Sequence, residues 1–168
     1  MSEAPRGDHD SRPGEDQRAS SEQQAPDGDS YTWYRRGLDL LGRGSPAAAA
    51  QLLERAAEAE PGARSVLEAL ARAQFDTGRY AQAADSFRQI VEASPSDDYA
   101  HFGLGLALAR SGDPAAAAEH LALAAAMRPE LRHYTEALRG VRATLRARAE
   151  AAAAAAATQP DPASDEPA

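Results

Sequence analysis

The chain of 168 residues contains no cysteine, and all 18 of its basic residues are arginine, so lysine is absent as well. Without cysteine, disulfide frameworks, cysteine-based zinc sites, iron–sulfur clusters and thiol nucleophiles are excluded. Without lysine, a phosphate-loop lysine, a Schiff-base lysine and Ser–Lys catalysis are excluded. We therefore expect neither a metal nor a cofactor.

β-branched and aromatic residues are scarce, although hydrophobic residues make up 43% of the chain. Alanine supplies 42 residues and leucine 15, whereas valine and isoleucine together number four. Strands draw on β-branched residues, and alanine and leucine are strong helix formers. The composition therefore predicts an all-α fold. The alanine and arginine bias also suggests a GC-rich bacterial genome.

The chain has no run of 18 apolar residues, and its first 30 residues are polar. These features predict no signal peptide and no membrane span, so a cytoplasmic protein without membrane contact is expected. The net charge of −8 is concentrated at the ends, because residues 30–146 carry 14 arginines and 14 acidic residues. The absence of net positive charge in residues 30–146 does not favour nucleic acid as a partner. The acidic segments 1–29 and 158–168 are predicted to be disordered, since they bury too little apolar surface to offset the entropy of ordering.

The middle of the chain repeats with a period of 34 residues. Four columns of residues keep this spacing: Pro61, Pro95 and Pro129; Gly44, Gly78 and Gly112; Ala49, Ala83 and Ala117; Leu53, Phe87 and Leu121. The pattern predicts three helical hairpins. In the second copy we expect helices over residues 63–76 and 80–93, with the glycine of the turn forming a left-handed cap.

Residues that start helices lie at regular places in this pattern. Ser45 and Asp113 each precede a proline, which predicts an N-cap followed by proline at the first helical position. Asp97 or Ser96 is predicted to cap the helix that begins beside it, with Asp98 in the first turn. We prefer this interpretation of the acidic pair to a metal site with His101.

The repeat resembles the tetratricopeptide repeat family. The matching residues are Trp33, Gly37, Ala49, Leu53, Ala56 and Pro61 in the first copy, Leu67, Leu70, Ala71, Tyr80, Ala83, Phe87 and Pro95 in the second, and Leu104, Gly105, Ala117, Leu121, Ala124 and Pro129 in the third. Ala71 replaces the usual glycine, and His101 stands where the family often has tryptophan. The resemblance implies a right-handed α-solenoid of short three-repeat type, with repeats at 30–63, 64–97 and 98–131.

A further helix is predicted after the third copy. Tyr134, Leu138, Val141 and Leu145 recur on one helical face. We expect a capping helix over residues 132–157, because repeat arrays need a cover for their last apolar surface. Its alanine run is interpreted as low complexity driven by codon usage rather than as a site.

Candidate catalytic residues are few. His101, His120 and His133 lack the spacing of a paired-histidine metal site. Gly103 and Gly105 lie in a predicted helix that follows no strand, which does not fit a dinucleotide-binding motif. We therefore predict that the protein is not an enzyme.

The resemblance implies that the first helices of the repeats line a concave groove. The groove positions that we select as the partner site are Tyr31, Tyr34, Leu38, Glu68, Arg72, Phe75, Tyr99, Phe102, Leu106 and Arg110. Aromatic residues and arginine anchor protein interfaces, so the groove is predicted to bind a peptide or an amphipathic helix. The alternative is that these aromatic residues pack as ordinary core.

The predicted function is that of a non-catalytic adaptor, either monomeric or weakly homo-oligomeric. Two other hypotheses stay open, namely a self-associating structural scaffold and an acidic N-terminal tail that folds into the groove as a lid. The carboxylate clamp with which some members of the family bind chaperone tails is not supported. Tyr34, Leu38, Phe102 and Leu106 stand at its positions, and only Arg72 could play such a part.

Overall fold

In the computed structural model, the described residues 29–158 form seven helices and no strand. The helices are α1 (Ser30–Gly42), α2 (Pro46–Ala59), α3 (Arg64–Asp76), α4 (Tyr80–Ala93), α5 (Asp98–Ser111), α6 (Pro114–Met127) and α7 (Arg132–Thr158). The all-α prediction is confirmed. The segments predicted to be disordered lie outside the described residues, except for residues 29 and 158.

Helices joined by short turns pack against each other as hairpins, α1 with α2, α3 with α4 and α5 with α6. Contacts also join α1 to α3, α3 to α5 and α5 to α7, so these four helices form an inner layer. The helices α2, α4 and α6 form the outer layer. Among the described helices, none combines the length and the apolar character that crossing a bilayer requires.

The turns follow the predicted cap chemistry with one exception. Gly44, Gly78 and Gly112 have φ values of 72°, 77° and 102°, the left-handed region that glycine enters without a steric penalty. The carboxylates of Asp97 and Asp113 each accept a backbone N–H at 3.0 Å. Ser45 stands at the N-cap and Pro46 at the first helical position, as predicted, but the serine side chain accepts no backbone hydrogen bond.

Close approach between helices depends on small residues at matching places in each hairpin. A Cβ atom on Gly37 or Gly105 would lie 2.6 Å from the Cγ atom of Leu53 or Leu121, respectively. Each of these leucines is fully buried. Glycine is therefore required at both places for the outer helix to pack at its observed distance.

The second hairpin also pairs a large side chain with a glycine, but here the glycine lies on the next inner helix. Ala71 stands in the place of the glycine, and Phe87 stands in the place of the leucine. The Phe87 ring points instead at the next inner helix, where a Cβ on Gly103 would lie 2.7 Å from its Cε2 atom. The three sets are Gly37, Leu53 and Ala69; Ala71, Phe87 and Gly103; and Gly105, Leu121 and Ala137. Gly103 is thus a packing residue, because its lack of a side chain leaves room for the Phe87 ring.

The inner helix α7 closes the array. Tyr134, Leu138 and Val141 are at least 91% buried on its inward face. The Tyr134 hydroxyl donates a hydrogen bond of 3.0 Å to Asp98 Oδ2. Burial, and to a smaller extent this hydrogen bond, raise the pKa of Tyr134 to about 12. The predicted packing face of this helix is therefore the one that docks onto α6 and α5.

Two histidines meet between α5 and α6, at a contact that their spacing in the sequence does not suggest. The Nδ1 atoms of His101 and His120 lie 3.0 Å apart, and Nε2 of His101 lies 3.0 Å from the Pro95 carbonyl oxygen. A carbonyl oxygen only accepts, so Nε2 of His101 carries the proton. In the neutral pair, Nδ1 of His120 therefore donates to Nδ1 of His101. His101 thus fills the place of the family's tryptophan with a buried, hydrogen-bonded ring.

Replacing Gly103 with alanine is expected to lower the free energy of unfolding by about 1–3 kcal/mol, because the added methyl group overlaps the buried Phe87 ring. The triple variant A71G/F87L/G103A recreates the combination found in the first and third hairpins and should recover more than half of this loss. Urea denaturation followed by circular dichroism measures both effects. The control is Gly140→Ala, which meets no atom within 4 Å and should stabilise the chain slightly. A triple variant no more stable than G103A would contradict this account of the packing.

Acidification is expected to destabilise the protein through His120. Burial, then the neighbouring His101 and Arg88, lower the pKa of His120 from 6.5, and Glu119 only partly opposes them. Because the folded state binds this proton less readily than the unfolded state, the stabilisation is complete above pH 6.5 and is lost as the pH falls below it. His120→Asn, whose amide can replace the Nδ1–H donor, should reduce the fall in unfolding free energy between pH 7 and pH 5. An equal fall in both proteins, measured by urea denaturation, would exclude His120 as the cause.

Candidate functional site

A concavity of about 200 Å³ lies on the inner layer between α3 and α5. Its lining residues are Arg72, Phe75, Asp76, Phe87, Tyr99, Phe102, Gly103 and Leu106. Five of the ten residues selected from the sequence therefore meet at one place, namely Arg72, Phe75, Tyr99, Phe102 and Leu106.

The walls of this concavity are aromatic rings held by contacts with one another. Phe87 meets Tyr99 edge to face, with 6.2 Å between ring centroids. Phe75 meets Tyr80 in the same manner at 5.1 Å, and Phe102 stacks on Tyr134 at 4.3 Å. Phe75, Tyr99 and Phe102 remain half-buried. They therefore serve as packing residues on one side and leave part of each ring exposed on the other.

Charged groups lie at the edge of the concavity. Arg72 is exposed and forms no ion pair or hydrogen bond within the described part of the chain. Burial raises the pKa of Tyr99, as do Glu68 and Asp76, whereas Arg72 acts to lower it. Tyr99 is therefore a neutral hydroxyl near pH 7. The edge thus offers a free guanidinium to a ligand, next to a neutral phenol.

The other five selected residues lie outside the concavity. Tyr31 is 64% exposed on α1, and Tyr34 and Leu38 pack against the cluster that joins the first two hairpins. Glu68 forms an ion pair of 3.4 Å with Arg64. Arg110 lies over the Tyr80 ring, with 5.8 Å between its Cζ atom and the ring centroid. These residues extend the inner face around the concavity without lining it.

Three lining residues were not selected from the sequence. Asp76 occupies the same repeat position as Arg110, whereas the selected Phe75 occupies that of Ala109, so keeping Arg110 in strict register would have found Asp76. In the sequence, Phe87 stands out only as a match to the family, and Gly103 only as part of a glycine pair that does not fit a dinucleotide-binding motif. The feature of the sequence that could have linked Phe87 to Gly103 is Ala71, which stands where the family has glycine. With alanine there, the Phe87 ring points towards the next inner helix.

The acidic pair Asp97 and Asp98 is used in structural contacts. Asp97 caps α5 and accepts a 2.6 Å hydrogen bond from Nε of Arg64, and Asp98 accepts the Tyr134 hydroxyl. In the span 29–158, no group of three or more His, Asp or Glu side chains is arranged to hold a metal ion. The cap interpretation of Asp97 is confirmed.

Known proteins resemble this chain in sequence pattern and in fold. A model of the tetratricopeptide repeat matches residues 34–98 and 69–131. No curated protein sequence matches the chain. Among solved structures, MamA (residues 41 to the end) of Desulfovibrio magneticus RS-1 aligns with a TM-score of 0.68 and 21% identity, over 74% of this chain and 70% of MamA.

Two further structures come from proteins described with peptides. The first tetratricopeptide repeat unit of Spaghetti (RPAP3), bound to the HSP90 peptide SRMEEVD, aligns with a TM-score of 0.65 and 18% identity over 69% of this chain and 92% of that one. YrrB, a repeat protein with an unusual peptide-binding site, aligns with a TM-score of 0.63 and 20% identity over 67% of this chain and 58% of YrrB. At these identities the likeness concerns the fold alone. The family match, the 34-residue period and the paired helices together show that the chain belongs to the tetratricopeptide repeat family.

Proposed function

We propose that this protein is a non-catalytic interaction module that binds a segment of another protein on its inner face, at the concavity between α3 and α5. The observation that carries the proposal is the set of exposed ring faces beside the free guanidinium of Arg72. The partner site consists of the ten residues selected from the sequence, with Asp76, Phe87 and Gly103 added at its centre.

The size of the concavity favours an anchoring side chain over a small molecule. A volume of about 200 Å³ is the space of roughly seven water molecules and lies below the 300–1,000 Å³ typical of small-molecule pockets. Burying one leucine or phenylalanine side chain against the rings would contribute about 1.5–3 kcal/mol. One large apolar side chain of the partner is therefore the expected anchor.

The charged residues at the edge of the concavity indicate which ligand residues lie next to the apolar anchor. Arg72 has no acidic partner among the described residues, so a carboxylate of the ligand would meet an unpaired donor there. Asp76 lines the same concavity and disfavours a second acidic group on its side. The expected ligand thus combines one large apolar residue with one acidic residue a few positions away. YrrB and the RPAP3 unit support this proposal as proteins of the same fold described with a peptide-binding site or a bound peptide.

Selection from a random peptide library on the full chain tests the proposal. We expect enriched peptides to share a large apolar residue followed or preceded by Asp or Glu. Arg72→Glu should weaken their binding at least about tenfold, because it replaces an attraction with a repulsion at the edge of the concavity. Fluorescence anisotropy measures the dissociation constants.

The matched control is Arg55→Glu, which makes the same charge change at an exposed place on the outer helix α2. It should leave peptide binding within about twofold of the unchanged protein. Peptides that bind all three proteins equally would show that the partner site lies on another face. An oligomer that Arg72→Glu dissolves, detected by light scattering in the absence of peptide, would favour the self-associating scaffold instead.

A further inference from the structure

The helix α7 occupies the place of a first helix in a fourth hairpin, but its outward face has different residues. In the first three hairpins this face is covered by α2, α4 or α6, and it carries the small residue Gly37, Ala71 or Gly105. The equivalent residue on α7 is Arg139. A second helix cannot approach α7 as closely as in the first three hairpins, because the Arg139 side chain fills the space that the small residue leaves.

This outward face, together with the edge of the packing face at Leu138, forms an open concavity of about 510 Å³ on the surface of α7. Its lining residues are Thr135, Leu138, Arg139, Arg142, Leu145 and Arg146. Leu145 is half-buried, and Leu138 contributes the small part of its surface that remains exposed. The surface is therefore a narrow apolar strip flanked by arginine side chains.

The three arginines of this strip have no partner within residues 29–158. Other arginines of α7 are engaged, since Arg132 pairs with Glu136 at 3.9 Å and Arg148 donates to the Gly112 carbonyl oxygen at 3.4 Å. In contrast, Arg139, Arg142 and Arg146 form no ion pair or hydrogen bond there. A row of unpaired positive charges at helical spacing is complementary to an acidic surface.

We propose that this α7 surface binds an acidic amphipathic helix of a partner protein, which lies along α7 where the second helix of a fourth hairpin would be. The apolar strip requires apolar side chains along one ridge of that helix, and the flanking arginines require Asp or Glu beside the ridge. This second surface is separate from the inner concavity, so two segments can be bound at once.

The chain itself offers no suitable occupant for the strip. Residues 1–28 and 159–168 are acidic, but neither segment contains Leu, Ile, Val, Phe, Tyr or Trp to cover Leu138 and Leu145. The six helices before α7 already bury most of their apolar side chains within their own hairpins and against neighbouring hairpins. The arginines of α7 alone would attract the acidic end segments of the chain. The arginines and leucines together require a helix that carries both acidic and apolar side chains, and such a helix must come from a partner protein.

A designed peptide of roughly four helical turns serves as the probe, with leucines along one ridge and glutamates on both flanks. Binding to the full chain is measured by fluorescence anisotropy. We expect saturable binding that weakens with added salt and that R142E/R146E weakens by about tenfold or more. A peptide with lysine in place of every glutamate should bind R142E/R146E better than it binds the unchanged protein. The matched control R35E/R36E makes the same charge change on α1 and should not alter binding.

Several outcomes would overturn the proposal. Equal binding of a scrambled peptide of the same composition would show electrostatic attraction without helix docking. Tighter binding of a DNA duplex, lost in R142E/R146E, would identify nucleic acid as the partner. An increase in peptide affinity of about tenfold in D161N/D165N/E166Q would identify the chain's own tail as the occupant. A dimer that R142E/R146E dissociates would identify a second copy.

Discussion

The whole array depends on how closely an outer helix can approach the inner helices on either side of it. At each of the three places, one large side chain from the outer helix meets a small residue on one neighbour. Leucine at 53 and 121 needs glycine on its own inner helix, whereas the Phe87 ring needs glycine on the next one. A packed interior cannot accept an extra methyl group at such a contact without displacing its neighbours. The sizes of residues on three different helices are therefore fixed together.

The same constraint explains the shape of both proposed binding surfaces. Because the Phe87 ring points towards Gly103, it forms part of the concavity beside Tyr99 on the inner layer. Arg139 stands on α7 where the first three hairpins have a small residue, and the outward face of α7 is open within the described residues. One exchange of residue size thus shapes the inner concavity, and another distinguishes the outward face of α7 from those of α1, α3 and α5.

Much of the fold can be predicted from the chain, because its signals are local. Helix α4 spans the predicted residues 80–93, and α3 begins one residue after its predicted start at 63. Proline, the turn glycines and a capping aspartate act within a few residues of their own position. Ser45 and Pro46 likewise mark the start of α2 at the predicted place.

The period, the helices, their caps and the family can all be predicted from the amino-acid sequence, because each depends on residues within one repeat length. The packing of the helices is needed to show which groove residues share a concavity, that Phe87 and Gly103 belong to it, and that His101 meets His120. The reason is physical: these contacts depend on the rotation of one helix against another, which is set by the sizes of side chains far apart in the chain. The 34-residue register shows which residues lie on the same face of the array, whereas the packing of the helices decides which of these residues contact each other.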